Sequence, residues 1–221
     1  MRRDLYCLSG STLKVIAIVS MTIDHVTYHV MGNAMGLQDS WQYDCLRGVG
    51  RLAFPIFAFL VVEGYRHTRH LGKYATALFL TAAISEVPWY LLGETDSHNV
   101  LFTLLLGLVA VTLTDRAKSS SWGMLIPSCC IALIATWLNT DYTWHGIGLM
   151  IVFFLFREKA FFTFLFGVPF LMEYGILGTS LGILICLCYN RSRGFIKGKG
   201  LKYAFYLYYP LHLMVIWCIL Q

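Results

Sequence analysis

Long apolar runs follow one another along this chain, and ionisable residues interrupt them at depths where a bilayer core would lie. Asp24, His25, Arg51, Glu63, Glu86 and His212 all sit inside such runs. An ionisable side chain at bilayer depth costs roughly 2.5–3.5 kcal/mol on insertion scales, so these groups are expected to turn inward, toward one another and toward a cavity. This pattern restricts the fold more than any other feature. A span in lipid must satisfy its own backbone, which makes each run a helix with its polar side chains facing the interior.

Of the 221 residues, 57% are hydrophobic and 13% are charged, against about 25% charged in an ordinary soluble domain. So much apolar surface exceeds what one water-soluble core of this length hides. The expectation is all-α, a polytopic transmembrane helical bundle forming one domain over 1–221, with the lipid bilayer as its partner. Taking roughly 20 apolar residues per crossing, nine spans fall near 13–31, 47–65, 74–92, 99–115, 122–139, 143–157, 160–172, 175–190 and 203–220. The seventh is short, and Gly167 and Pro169 mark it as thin, kinked or re-entrant.

Nine alternating spans put Arg2, Arg3, Lys14, Arg66, Arg69, Lys73, Arg116, Lys118, Arg157, Lys159, Arg191, Arg193, Lys197, Lys199 and Lys202 on one side, leaving only Arg47 and Arg51 of the 17 Lys and Arg at the other. Basic residues gather on the cytoplasmic side, so the expected N-terminus is cytoplasmic and the C-terminus outer. The same asymmetry accounts for the net charge of +5 and argues against nucleic acid as a partner. The first apolar run carries Asp24 and His25 and lacks a small-residue cleavage site, so it reads as a retained span. The seven cysteines match no zinc spacing.

The first span carries Asp24 and His25 in its outer half, with Tyr28 and His29 one turn on. Adjacent helical residues point about 100° apart, so Asp24 is badly placed to orient His25. Arg51 lies at a similar depth in the second span, and Asp24–Arg51 is the expected buried pair. His25 and His29 have ligand spacing, but no glutamate lies between them and no third ligand is near in sequence, so no metal is expected. Proline 55 follows Arg51 within an aromatic run, and Glu63 and His67 close that span. Glu86 lies beside Pro88; Asn99 and Thr103 share a face of the next span. In the last span His212 is deep, with Tyr208 at i−4, where its ring can pack against the imidazole. A histidine there can move protons.

Four stretches, Leu13–His25, Gly50–Gly64, Asn99–Phe102 and Phe205–Leu213, together with Gly146-x-Gly148, run nearly the whole length. In their order and spacing the chain resembles the TraX family, whose founding member is an F-pilin acetylase of conjugative plasmids. That family is similar to a wider group of membrane acyltransferases. The resemblance implies a multi-pass protein of the bacterial inner (cytoplasmic) membrane that moves an acetyl group from acetyl-CoA to an N- or O-acceptor, either a pilin-like protein or a glycan. By resemblance, His25 and Arg51 inherit the histidine and arginine roles of the group.

Acyl transfer from a thioester needs a base, a donor to the oxyanion and exclusion of water. His25 is the expected base, and Arg51 or Asn99 the oxyanion donor, with Asp24 positioning Arg51. His212 with Tyr208 completes the site as a second acid/base or acceptor ligand; Glu63, Glu86, Asn99, Thr103 and Tyr208 are the candidate substrate-binding residues. The inner basic loops can attract the phosphates of CoA, though topology alone also explains them. Two readings of other classes stay open at this point: a small proton-coupled transporter, since intramembrane Asp, Glu and His also form relays, and a non-catalytic membrane scaffold.

Overall fold

In the computed structural model, described for residues 6–117, 121–196 and 198–221, the chain is all-α. Among the described residues no β-strand forms beyond two isolated bridges, Leu8 with Tyr189 and His98 with Thr140. Arg2, Arg3, Lys118 and Lys197, and the side chains of Lys199 and Lys202, lie outside the described residues. The chain divides into two compact units, one built from residues 1–60 and 172–221, the other from 61–171.

The first unit opens with α1, Gly10–Val26. Ser9 caps it, its hydroxyl accepting from the Thr12 amide at 3.2 Å. The first amides of a helix have no partner within it. Here Gly10 and Ser11 donate to the carbonyls of Ser192 and Arg193 at 2.8 and 3.0 Å, so a loop from the far end of the chain completes the helix start. The Ser11 hydroxyl, held by the Ile196 amide at 2.7 Å, adds a further tie. Gly10, Leu13, Ala17, Ser20 and Met21 form the buried face; a fully buried leucine such as Leu13 contributes about 2 kcal/mol. At Thr27 the helix widens into a π-helix, Thr27–Ala34.

Helix α2, Trp41–Gly50, starts on a Ser40 cap, and α3, Ala53–His67, follows after a break at Arg51-Leu52. The expected single span over 47–65 is therefore two helices. The cause is Pro55, which has no amide proton and whose ring clashes with the carbonyl of Arg51, four residues back. Helix α9, Ile176–Leu187, packs on this break through two glycines one turn apart. A Cβ on Gly178 would overlap the Gly48 carbonyl, and one on Gly182 would approach Pro55 Cγ to 2.6 Å. Small residues at this spacing let helices approach closely. Helix α10, Lys199–Ile219, ends the unit.

The second unit holds the rest of α3 with α4, Leu71–Leu91, α5, Val100–Arg116, α6, Ser121–Trp137, α7, Thr143–Leu155, and α8, Ala160–Phe170. Helix α7 is its core: Ile147, Leu149, Met150, Val152 and Phe153 are all buried. Gly107 of α5 lacks the Cβ that would collide with Met150, and Gly148 the one that would collide with Phe170. Thr114 and Ser128 join α5 to α6 at 2.7 Å.

Each expected span contains a helix, but the helices differ in reach. Gly10–Ala34, with 25 residues, and Trp41–His67, with 27 counted across its break, are long and apolar enough to cross a membrane. Helices α7, α8 and α9 have 13, 11 and 12 residues, shorter than the roughly 20 that span the hydrocarbon unaided.

Candidate active site

The last turn of α1 carries His25, and α10 carries His212 two residues after Pro210. Nδ1 of His25 lies 2.7 Å from Nε2 of His212, and Nδ1 of His212 lies 3.0 Å from the Tyr208 carbonyl. The protons can be assigned from this network. A carbonyl only accepts, so His212 Nδ1 donates to it. A neutral His212 then offers Nε2 as acceptor, and His25 Nδ1 donates there. The lone pair of neutral His25 is left on Nε2.

Aromatic rings hold the pair in place. The two imidazoles lie edge to edge and nearly coplanar, with centroids 4.9 Å apart and planes within 8°, as an in-plane N–H···N bond requires, and the Tyr208 ring is nearly parallel to His212 with its centroid at 5.3 Å. Tyr209 meets both histidines edge-on. The Thr22 hydroxyl donates to the Ile18 carbonyl at 2.8 Å, so the Tyr208 hydroxyl donates to Thr22 Oγ at 2.7 Å. Tyr208 is thus tied twice, its hydroxyl to α1 and its carbonyl to His212.

Asp24, beside His25 in sequence, faces α2. Its carboxylate pairs with Arg47, Nη1 to Oδ1 at 2.6 Å, and the same nitrogen donates to the Asp24 carbonyl at 3.3 Å. This corrects the expected Asp24–Arg51 pair. The break that Pro55 imposes turns Arg51 toward α9, where it packs at Gly175 and Gly178, while Arg47, one turn earlier, reaches the carboxylate. Arg51 remains within electrostatic reach of both Asp24 and His25. Gly50 makes room for the pair, since a Cβ there would overlap the Asp24 carboxylate. Ser20 fixes the same turn of α2, donating to the Val49 and Gly50 carbonyls at 2.5 and 3.1 Å. The Arg47 guanidinium lies 5.0 Å over the Tyr28 ring, a cation–π contact.

Asp24, His25, Arg51, Tyr208 and His212 therefore belong to one unit; Glu63, Glu86, Asn99 and Thr103 belong to the other. Glu63, buried on α3, binds Arg157 with both carboxylate oxygens at 2.5 and 2.7 Å, and its carbonyl receives His67 Nδ1 at 2.8 Å. Glu86 receives the Asn99 amide at 3.0 Å and Asn99 Nδ2 at 2.6 Å on one oxygen, and faces His98 Nδ1 at 3.2 Å with the other.

Asn99 caps α5, its Oδ1 accepting from Leu101 at 3.1 Å, while Nδ2 also donates to the Ala82 carbonyl at 3.0 Å. Both Nδ2 protons are engaged within the fold, which corrects the expectation that Asn99 serves as an oxyanion donor. Thr103 donates to the Asp141 carbonyl and ties α5 to the turn before α7. Sequence reasoning missed Arg47 as the partner of Asp24, Arg157 as that of Glu63, and Tyr209 against the histidines. The i−4 spacing of Arg47 to Arg51 is the one signal that points to the first; the others join residues far apart in sequence.

Among the described residues no group of three or more His, Cys, Asp or Glu is arranged to hold a metal ion. The family described as TraX protein matches residues 9–220. A relative from Dichelobacter nodosus, described as probable fimbrial assembly protein FimC, serogroup H1, is 30% identical over 245 aligned positions that cover 94% of each chain. No solved structure matches.

Proposed function

This chain belongs to the TraX family, and on that premise we propose that it is a membrane-embedded acetyltransferase, with acetyl-CoA as donor and a fimbrial or pilin-like subunit as acceptor. The observation that carries the reading is the hydrogen bond between His25 and His212, which fixes the His25 ring and puts its lone pair on Nε2. The relative described as a fimbrial assembly protein supports a surface-fibre subunit over a glycan as the acceptor.

The chemistry needs only groups already described. Nε2 of His25 takes a proton from the acceptor amine as its nitrogen attacks the thioester carbonyl. The imidazolium that forms keeps its Nδ1 proton in the bond to His212, which stabilises the charge and can pass a proton on. Arg51 is the candidate donor to the developing oxyanion. When the C–S bond breaks, the thiolate leaves and is protonated from His25, so acetyl-CoA and R–NH2 become R–NH–COCH3 and CoA–SH. Asp24 and Arg47 hold the α1–α2 side of the site.

Membrane embedding is supported by the two long apolar helical stretches and by large apolar side chains left on the outside, including Val19, Leu133, Trp137 and Leu177. Exposed apolar area on this scale marks contact with lipid or protein. The positive-inside pattern puts the N-terminus in the cytoplasm. Purified protein in lipid nanodiscs should transfer label from labelled acetyl-CoA to a subunit with a free amino terminus, and His25→Ala should lower the rate by about 10²–10⁴-fold. Full activity in His25→Ala would remove the base from this scheme. Flux of protons across liposomes without acyl-CoA would favour a transporter instead.

A further inference from the structure

One imidazole beside the histidine pair has no assigned task. His29 is only 2% exposed, yet it forms no hydrogen bond or ion pair among the described residues; its contacts are ring contacts, edge-on to Tyr28 with centroids at 4.9 Å and tilted toward His25 at 6.3 Å. Its ring nitrogens are not among the sealed polar atoms of the fold, so an imidazole otherwise enclosed by protein keeps an edge through which a ligand can be met. The backbone here is also unusual. The helix changes from α to π at Thr27, between the two histidines, and π segments are rare and frequent at functional sites. Gly32, within that segment, is needed because a Cβ would come within 2.9 Å of the Tyr43 ring.

We propose that His29 binds the acceptor, hydrogen-bonding its nucleophilic N–H or O–H group and holding it against His25. Two rings with centroids 6.3 Å apart are at the separation that a single nitrogen or oxygen bridges when it lies about 2.8 Å from a nitrogen of each. An amine can donate one N–H to each ring and keep its lone pair for the thioester carbon. A hydroxyl donates to His25 and accepts from His29. In both cases a ring nitrogen of His29 bonds to the acceptor. The role rests on the acetyltransfer reading for what the nucleophile does next, but not for whether it binds.

The test uses full-length protein in nanodiscs with two probes, a tripeptide amide bearing a free amine and methyl glucoside, so that amine and hydroxyl acceptors are separated. With whichever probe is acetylated, His29→Ala should raise KM for that probe by about tenfold and leave KM for acetyl-CoA within about twofold, and His29→Gln, which keeps a donor and an acceptor, should recover part of the loss. An unchanged probe KM, or equal rises in both KM values, would overturn the assignment. If wild-type protein labels neither probe, acetyltransfer fails on its own. Histidine ring ¹⁵N spectra, with His29 assigned by His29→Gln, then decide: a shift of its signals on titrating either probe supports the contact, and none with both overturns it.

Discussion

At His212 the two ring nitrogens have separate tasks, one donating to the Tyr208 carbonyl and one receiving His25. His212→Ala should therefore lower kcat by about 10²-fold, within the range of acid–base assistance, while His212→Gln, with a carbonyl for His25 and an N–H for Tyr208, should recover part of it. Steady-state rates at saturating donor check both. Asp24 is a residue-scale case of a different kind. Its loss leaves the Arg47 guanidinium, 17% exposed, without its carboxylate, and breaking such a pair from one side costs about 3 kcal/mol or more. Asp24→Ala should thus lower the midpoint of denaturation measured in detergent. Gly50→Ala should also lower it, because its Cβ meets the same carboxylate and overpacking costs about 1–3 kcal/mol.

The element that decides most is the break between α2 and α3. Pro55 predicts a disturbance there from sequence, but the direction in which Arg51 then points depends on α9, where Gly178 and Gly182 admit the broken segment. Gly178→Val should push Arg51 aside and reduce transfer with a loss of stability of about 1–3 kcal/mol, whereas Gly72→Ala, with nothing within 4 Å of its Cβ, should leave both unchanged; paired activity and melting measurements distinguish them. Asn99 shows the opposite relation between reading and structure. Its place beside an apolar run looks chemical, but its bonds to Leu101, Ala82 and Glu86 make it a helix cap. Asn99→Ala should cost about 1–2 kcal/mol, visible as a lower denaturation midpoint, with no selective change in KM for acetyl-CoA.

At the scale of the whole molecule the proposed topology is open to a direct check. A chain with a cytoplasmic N-terminus and an odd number of spans should resist carbonate extraction from membranes, and a phosphatase fused at the C-terminus should be active outside the cytoplasm; an inactive fusion would remove one crossing. Helical class was legible throughout, because apolar runs with self-satisfied backbone admit little else, and every expected span contains a helix. Asp24, His25 and His212 were legible as well, since an ionisable group in a greasy run has to be accounted for. Local chemistry determined those features: periodicity, proline and cap residues act over a few positions. Only the tertiary structure decided who pairs with whom. His25 and His212 are 187 residues apart and Glu63 and Arg157 are 94 apart, and a choice between Arg47 and Arg51, one turn from each other on the same chain, depends on where a third helix packs.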